Sequence, residues 1–190
     1  MLAVTWAGEH VTQPLPYDPD AEMDGLQFTF RHNSWATGRL IEACRSLTPE
    51  QLEATTTGAM GSVLQTLNHI VNSEGLRFAT LLTGAPPPWE RGEVAGVDVL
   101  GERAQHNERF WADYLAAPVD AGLPITVDFQ GRSYDVATGV ILAQTVHHSN
   151  IHREQVCTIL TVLGIEPPDL SGWGFGGAEG HVVESTPTAG

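Results

Sequence analysis

Two histidines, His148 and His152, lie four residues apart in the most convincingly helical stretch of the sequence. On an α-helix this spacing places the side chains about 40° apart around the axis and roughly one turn along it, so their rings reach a common point. A third histidine, His69, lies in another apolar helical stretch. Three neutral imidazoles that converge inside a helical bundle form a site for a divalent metal ion with open coordination positions, and open positions permit chemistry. We therefore predict a metal site at His69, His148 and His152.

Spacing alone leaves a structural alternative open, because a histidine on an apolar helix face is often an ordinary core residue. Ser149 follows His148 at the position where HExxH zinc proteases carry their general-base glutamate, so that mechanism is excluded. Ser149 itself lies mid-helix, outside the strained turn that exposes a nucleophilic serine. His147 points about 100° away from His148 and is a weaker ligand candidate. The pattern favours metal binding without a protein nucleophile, and it identifies neither a catalytic nor a cofactor-binding residue.

Two charged residues accompany the histidines. Glu74 follows His69 by five residues, and Arg153 directly follows His152. They could form an ion pair between helices that supports the metal ligands, although a buried pair needs further hydrogen bonds to be tolerated. The alternative is that both side chains are solvated, and the sequence leaves the two interpretations open.

Charge and size limit the classes of function. The chain has 190 residues and a formal net charge of -14, and all 9 of its basic residues are arginine. A field of that sign repels phosphate backbones and anionic membrane surfaces, so we expect neither nucleic acid nor a membrane as a partner. The lack of lysine excludes a Walker A phosphate loop and a Schiff-base lysine.

The cysteines and the N-terminal segment suggest a compartment. Cys44 and Cys157 are far apart in sequence and outside any CxxC pattern, which predicts two reduced structural thiols. The first residues lack the basic region of a signal peptide, and no apolar run approaches the ~20 residues of a membrane span. We expect a cytoplasmic protein.

Apolar periodicity and helix-stop signals predict an all-α fold. The third connection shows period-2 alternation that is broken at Gln130–Gly131, which predicts a short hairpin-like crossover before the last helix. Four long helices joined in this way predict a four-helix bundle. The predicted helices cover about residues 24–47, 62–83, 96–117 and 137–163, and the predicted hairpin covers 125–136. The predicted parts of the chain are an extended N-terminal arm at 1–22, a bundle domain at 23–175 and a flexible C-terminal tail at 176–190.

Three segments, residues 66–74, 148–156 and 163–170, together resemble the DinB-like family of metalloenzymes. The similarity covers about residues 25–175 and includes the patterns LxHI, HxxxHRxQ and LGxxPPxL at the separations typical of that family. One departure is Glu154, where many members have glycine. The resemblance implies an up-down-down-up four-helix bundle in which His69, His148 and His152 bind a divalent ion.

The resemblance also implies an activity. Members with known reactions include transferases that use a low-molecular-weight thiol, namely bacillithiol, mycothiol or glutathione, and related isomerases. We therefore expect a metal-dependent thiol S-transferase that acts on small-molecule electrophiles, with zinc as the first choice of metal and nickel, iron(II) or manganese also compatible. A metal-dependent hydrolase of small amides or esters and a non-catalytic metal-binding bundle are the alternatives. A homodimer is expected from the family alone.

Overall fold

The computed structural model describes residues 24–182, and most of that range is helical. Residues 24–168 belong to one compact unit, and residues 169–182 belong to a second. The helices are α1 (Gly25–Cys44), α2 (Pro49–Leu52), α3 (Val63–Asn72), α4 (Thr80–Thr83), α5 (Val97–Tyr114), α6 (Thr138–Val162) and α7 (Gly172–Ala178), with a π-helical segment (Ser73–Ala79) between α3 and α4.

Four long helical segments, called rods below, form the first unit in the described part of the chain. They are α1, the continuous run of α3, the π-helical segment and α4, then α5, and finally α6. Helices α1 and α3 each pack against both α5 and α6. The core between them consists of fully buried aliphatic side chains, among them Leu40, Leu67, Ile70, Leu100 and Leu160. This arrangement agrees with the predicted helical fold, and each predicted helix lies within a few residues of an observed one.

The second rod differs from the single regular helix that the sequence predicted. Ser62 caps α3 through a hydrogen bond from the Gln65 backbone, and the Gln65 side chain bonds back to the Ser62 backbone. The rod then continues as the π-helical segment, in which hydrogen bonds skip one residue more than in an α-helix. A Cβ on Gly75 would lie 2.7 Å from the Asn107 side-chain oxygen and 2.9 Å from the Trp89 ring. Glycine thus lets α5 and the preceding loop approach this segment closely.

The predicted hairpin is present, so the fold is helical with one small sheet rather than strictly all-α. Strands β1 (Pro124–Phe129) and β2 (Arg132–Ala137) pair antiparallel. Gln130 and Gly131 have φ of 50° and 74°. Positive φ at both central residues is the signature of the type I′ turn that suits a twisted hairpin.

The second unit contains a helix that the sequence analysis missed. Residues 172–177 are rich in glycine, which disfavours helices, yet they form most of α7. Ser171 caps that helix by accepting a hydrogen bond from the Gly174 backbone at 3.0 Å. Phe175 is buried, whereas Trp173 is 74% exposed. The predicted arm at 1–22 and the end of the tail lie outside the described residues, and the domain boundaries stay predictions.

Between residues 24 and 182, none of the helices is both long and apolar enough to cross a bilayer.

Candidate metal centre

The structure brings the three predicted histidine rings together. His69 comes from α3, while His148 and His152 come from successive turns of α6. The ring centroids are 4.5–4.7 Å apart, and one nitrogen from each ring lies within 4.8 Å of the others. The Nε2 atoms of His69 and His148 are only 2.9 Å apart.

This nitrogen cluster fits a divalent ion. Two imidazole nitrogens on a tetrahedral ion, each about 2.0–2.1 Å from the metal, are roughly 3.3 Å apart. The observed 2.9 Å between His69 and His148 therefore needs ring movements of only a few tenths of an ångström. Without an ion, the Nε2 atoms of His69 and His148 must share one proton in a hydrogen bond. The buried Nδ1 of His148 has no hydrogen-bond partner among residues 24–182. The donor set thus suits a cation better than it suits protons.

The histidines lie at the margin of the buried face of α6, whereas the sequence analysis placed them inside the bundle. All three rings are half-buried. The fully buried positions of α6 near them are Ser149 and Arg153, each next to one of the histidines. This position keeps one side of the cluster accessible to small molecules. His147 is exposed and lies outside the cluster, in agreement with its prediction as the weaker candidate.

Burial favours the neutral form of two of the rings, those of His148 and His69. Burial, together with smaller contributions from the neighbouring His152, His69 and Arg77, lowers the pKa of His148 to about 4. Burial also lowers the pKa of His69, with smaller contributions from His152 and Arg77. Neutral imidazole is the form that binds a metal, so few protons compete for these nitrogens at neutral pH.

Gln155 orients the third ring and was not singled out as a site residue by the sequence analysis. Its side-chain oxygen lies 2.8 Å from His152 Nδ1 and also accepts a hydrogen bond from the Met60 backbone at 3.2 Å. Its amide nitrogen donates to the Gly58 carbonyl oxygen at 3.1 Å. Because an amide oxygen only accepts, His152 must carry its proton on Nδ1, which leaves Nε2 free to bind a metal. The i,i+3 spacing of His152 and Gln155 was the sequence signal for this contact.

A buried carboxylate lies beneath the histidines. Glu74, in the π-helical segment, is 2% exposed and accepts hydrogen bonds from Ser149 Oγ at 2.6 Å and from Asn33 Nδ2 at 3.0 Å. The pKa of Glu74 is raised overall by burial, although those two hydrogen bonds and the charge of Arg153 act in the opposite direction. The contact with Ser149 connects the rod that carries His69 to the helix that carries His148.

Arg153 completes this network, and neither of the two interpretations from sequence is fully correct. The side chain is 2% exposed, so it is not solvated. Its Nη1 donates to Asn33 Oδ1 and to Thr37 Oγ1, both at 2.9 Å. Asn33 therefore lies between Glu74 and Arg153 and bonds to both, so the two charges are linked through an amide and not by direct contact. The sequence offered no signal for Asn33, because it lies 120 residues from its partner Arg153.

Neither cysteine belongs to the histidine cluster. Cys44 is buried, Cys157 is half-buried, and both are free. Burial raises the pKa of Cys44 to about 12 and that of Cys157 to about 11, so both thiols are protonated at neutral pH. Protonated thiols are poor nucleophiles and poor metal ligands, in keeping with the predicted structural role.

The Asn33 bridge yields a stability prediction. Asn33→Ala removes a donor to Glu74 and an acceptor from Arg153, which leaves two buried charged groups short of partners. We expect the free energy of unfolding of the metal-free protein to fall by about 3 kcal/mol. Urea denaturation measures this change. Asn150→Ala, which alters an exposed amide on α6, is the control and should shift stability by less than about 0.5 kcal/mol. Equal effects of the two substitutions would contradict the role of Asn33.

Comparison with known proteins places this arrangement in a family. The sequence pattern of the DinB family matches residues 23–176, which include the three histidines.

Among solved structures, the chain is similar to YfiT from Bacillus subtilis, which is described as a probable metal-dependent hydrolase with an unusual four-helix bundle topology. The TM-score is 0.58 at 17% sequence identity, and the match covers 80% of this chain and 95% of YfiT. This likeness shows the four-helix-bundle fold. A search of curated proteins finds no match. The chain belongs to the DinB family, as its three motif segments predicted.

Proposed function

We propose that His69, His148 and His152 bind one divalent metal ion and that the protein uses it as a thiol S-transferase acting on small-molecule electrophiles. The observation that carries the proposal is the convergence of three imidazoles from two rods, with one nitrogen pair only 2.9 Å apart. Zinc is the first choice because three imidazoles suit it, while nickel, iron(II) and manganese also bind neutral nitrogen ligands.

The surroundings of the cluster favour thiol transfer over hydrolysis. A divalent ion, when bound, supplies Lewis acidity that favours the ionised form of a thiol or of water. A hydrolase in addition commonly uses a nearby carboxylate as a general base. Glu74 is unsuited to that task, because it is buried and already accepts hydrogen bonds from Ser149 and Asn33. A thiol that ionises at neutral pH needs no such base.

Hydrolysis is the second candidate, and the likeness to YfiT is the observation that favours it. Small amides or esters would then be the substrates. A bundle whose metal is structural or sensory is the third candidate. The proposal also includes the up-down-down-up order of the four rods, a cytoplasmic setting, small molecules as the only substrates and a homodimer, all of which rest on the family or on composition.

Metal content tests the site directly. We expect roughly one divalent ion per chain in untagged protein, and a large loss of metal in His152→Ala because two imidazoles hold an ion much more weakly than three. Elemental analysis of the dialysed proteins provides the measurement. His147→Ala removes the adjacent exposed histidine and should keep its metal. Equal metal content in the parent and His152→Ala would exclude His152 from the site.

Activity separates the candidates. Purified, metal-loaded protein incubated with a low-molecular-weight thiol and monochlorobimane should form the fluorescent conjugate, and a chelator should abolish the reaction. Hydrolysis of generic esters or amides without conjugation would favour the second candidate. If neither reaction occurred and chelation unfolded the protein, the structural role would be favoured.

The Gln155 contact predicts a graded effect on metal affinity. Gln155→Ala removes the acceptor that holds the proton of His152 on Nδ1, so the ring loses its fixed orientation. We expect metal affinity to fall about 10–100-fold while the fold persists. Competition with a chromophoric chelator measures the affinity. Gln144→Ala, an exposed position on the same helix, should leave it unchanged. An unaltered affinity in Gln155→Ala would show that the contact does not position the ligand.

A further inference from the structure

Arg77 lies on the same face of its rod as His69 because of the π-helical segment. In a regular α-helix, two residues eight apart differ by about 80° around the axis. The π-helical turn accommodates one extra residue, which rotates the following positions back by about 100° and leaves Arg77 roughly 20° from His69. Side chains on a helix lean toward its N-terminus, so the long side chain of Arg77 leans back toward His69. A regular helix would have directed it elsewhere.

Contacts connect the Arg77 guanidinium to the histidine cluster. Its Cζ lies 5.6 Å from the centre of the Phe78 ring, and that ring meets the His148 ring edge to face at 5.4 Å. Phe78 is 3% exposed, so it provides a fixed platform. The positive charge of Arg77 also contributes to the lowered pKa of both His69 and His148. The cation therefore lies at the rim of the candidate metal site.

Arg77 has a positive charge that no acid neutralises locally. Arg45 pairs with Glu42 and Asp98, and Arg103 pairs with Glu93. Within residues 24–182, the Arg77 side chain forms no ion pair or hydrogen bond, and its stacking on Phe78 is its one side-chain contact of these kinds. In a chain of net charge -14, Arg77 therefore adds an unpaired positive charge at the rim of the site, and a bound divalent ion would add to it.

We infer that Arg77 is an anion-binding residue that pairs with a carboxylate on the thiol cosubstrate while the thiol sulfur reaches the metal. The guanidinium offers planar, paired N–H donors that match a carboxylate, and its stacking on Phe78 holds it in place. The inference rests on the proposed metal and thiol chemistry and adds the chemical class of the thiol, which is an acidic one. Arg77 is thus a specificity residue.

Matched thiols test this inference on the full chain loaded with cobalt(II). One series consists of mercaptocarboxylates with two to six carbons, and the other consists of mercaptoalcohols of the same lengths. Binding of each thiol is followed by the sulfur-to-cobalt charge-transfer absorption, which requires no turnover. In the parent, we expect at least one mercaptocarboxylate to bind about tenfold more tightly than its matched alcohol.

Variants identify the residue responsible. Arg77→Gln should reduce that preference to about one while leaving the affinity for the alcohols unchanged, and Arg77→Lys should keep part of it. Arg39→Ala is the matched control, because Arg39 is also an exposed arginine stacked on an aromatic ring, that of Trp35, at 5.7 Å. It changes the net charge equally and should keep the full preference.

Two outcomes would overturn the inference, namely no preference for any carboxylate in the parent or a preference that persists in Arg77→Gln. In both cases cobalt uptake at one ion per chain would leave the metal site intact, so only the role of Arg77 would fail. If the parent took up no cobalt, the proposed function itself would fail, and the role of Arg77 with it. Equal thermal midpoints of parent and variants confirm that an exposed substitution has not altered the fold.

Discussion

Burial of opposite charges beneath the histidines is the constraint that fixes this site. Removing a carboxylate and a guanidinium from water costs several kcal/mol for each, unless hydrogen bonds satisfy them. Glu74 and Arg153 obtain those bonds only when α1, the π-helical segment and α6 are in one register, with Asn33 between the two charges. Ser149, the neighbour of His148, bonds to Glu74, and Arg153 is the neighbour of His152. The register that satisfies the buried charges is therefore the register in which the three rings meet.

Local signals made most of the fold predictable. The capping residue Ser62 and the left-handed Gly164, with φ of 74°, mark helix ends that depend on a few neighbouring residues. The Gln130–Gly131 turn marks the hairpin for the same reason. The π-helical segment was not predictable, because it depends on the approach of Trp89 and Asn107 to Gly75, and these contacts join residues far apart in sequence. The α7 helix was missed because glycine disfavours helices, although in the structure Ser171 caps its first turn.

In the candidate site, too, features that depend on neighbouring residues were predictable, and features that depend on distant contacts were not. Helical spacing predicted that His148 and His152 would lie together, and the position of His69 in a second apolar helical stretch added the third ring. Spacing could not predict that α6 buries Ser149 and Arg153 and leaves the histidines at the margin, since the polar network that makes this rotation favourable involves α1. This rotation has a functional consequence, because burial lowers the pKa of His69 and His148 while all three histidines remain partly exposed. The role of Asn33 in linking Glu74 to Arg153 was not predictable for the same reason, because both partners are far from it in sequence.

The ligand set of the bound ion is the most direct test of the central claim. X-ray absorption spectroscopy of the zinc-loaded protein, without added thiol, counts the imidazoles bound to each ion and distinguishes nitrogen from sulfur ligands. Convergence of His69, His148 and His152 predicts three imidazoles at about 2.0–2.1 Å and no sulfur. A spectrum with two or fewer imidazoles, or with a cysteine sulfur bound to the ion, would contradict it.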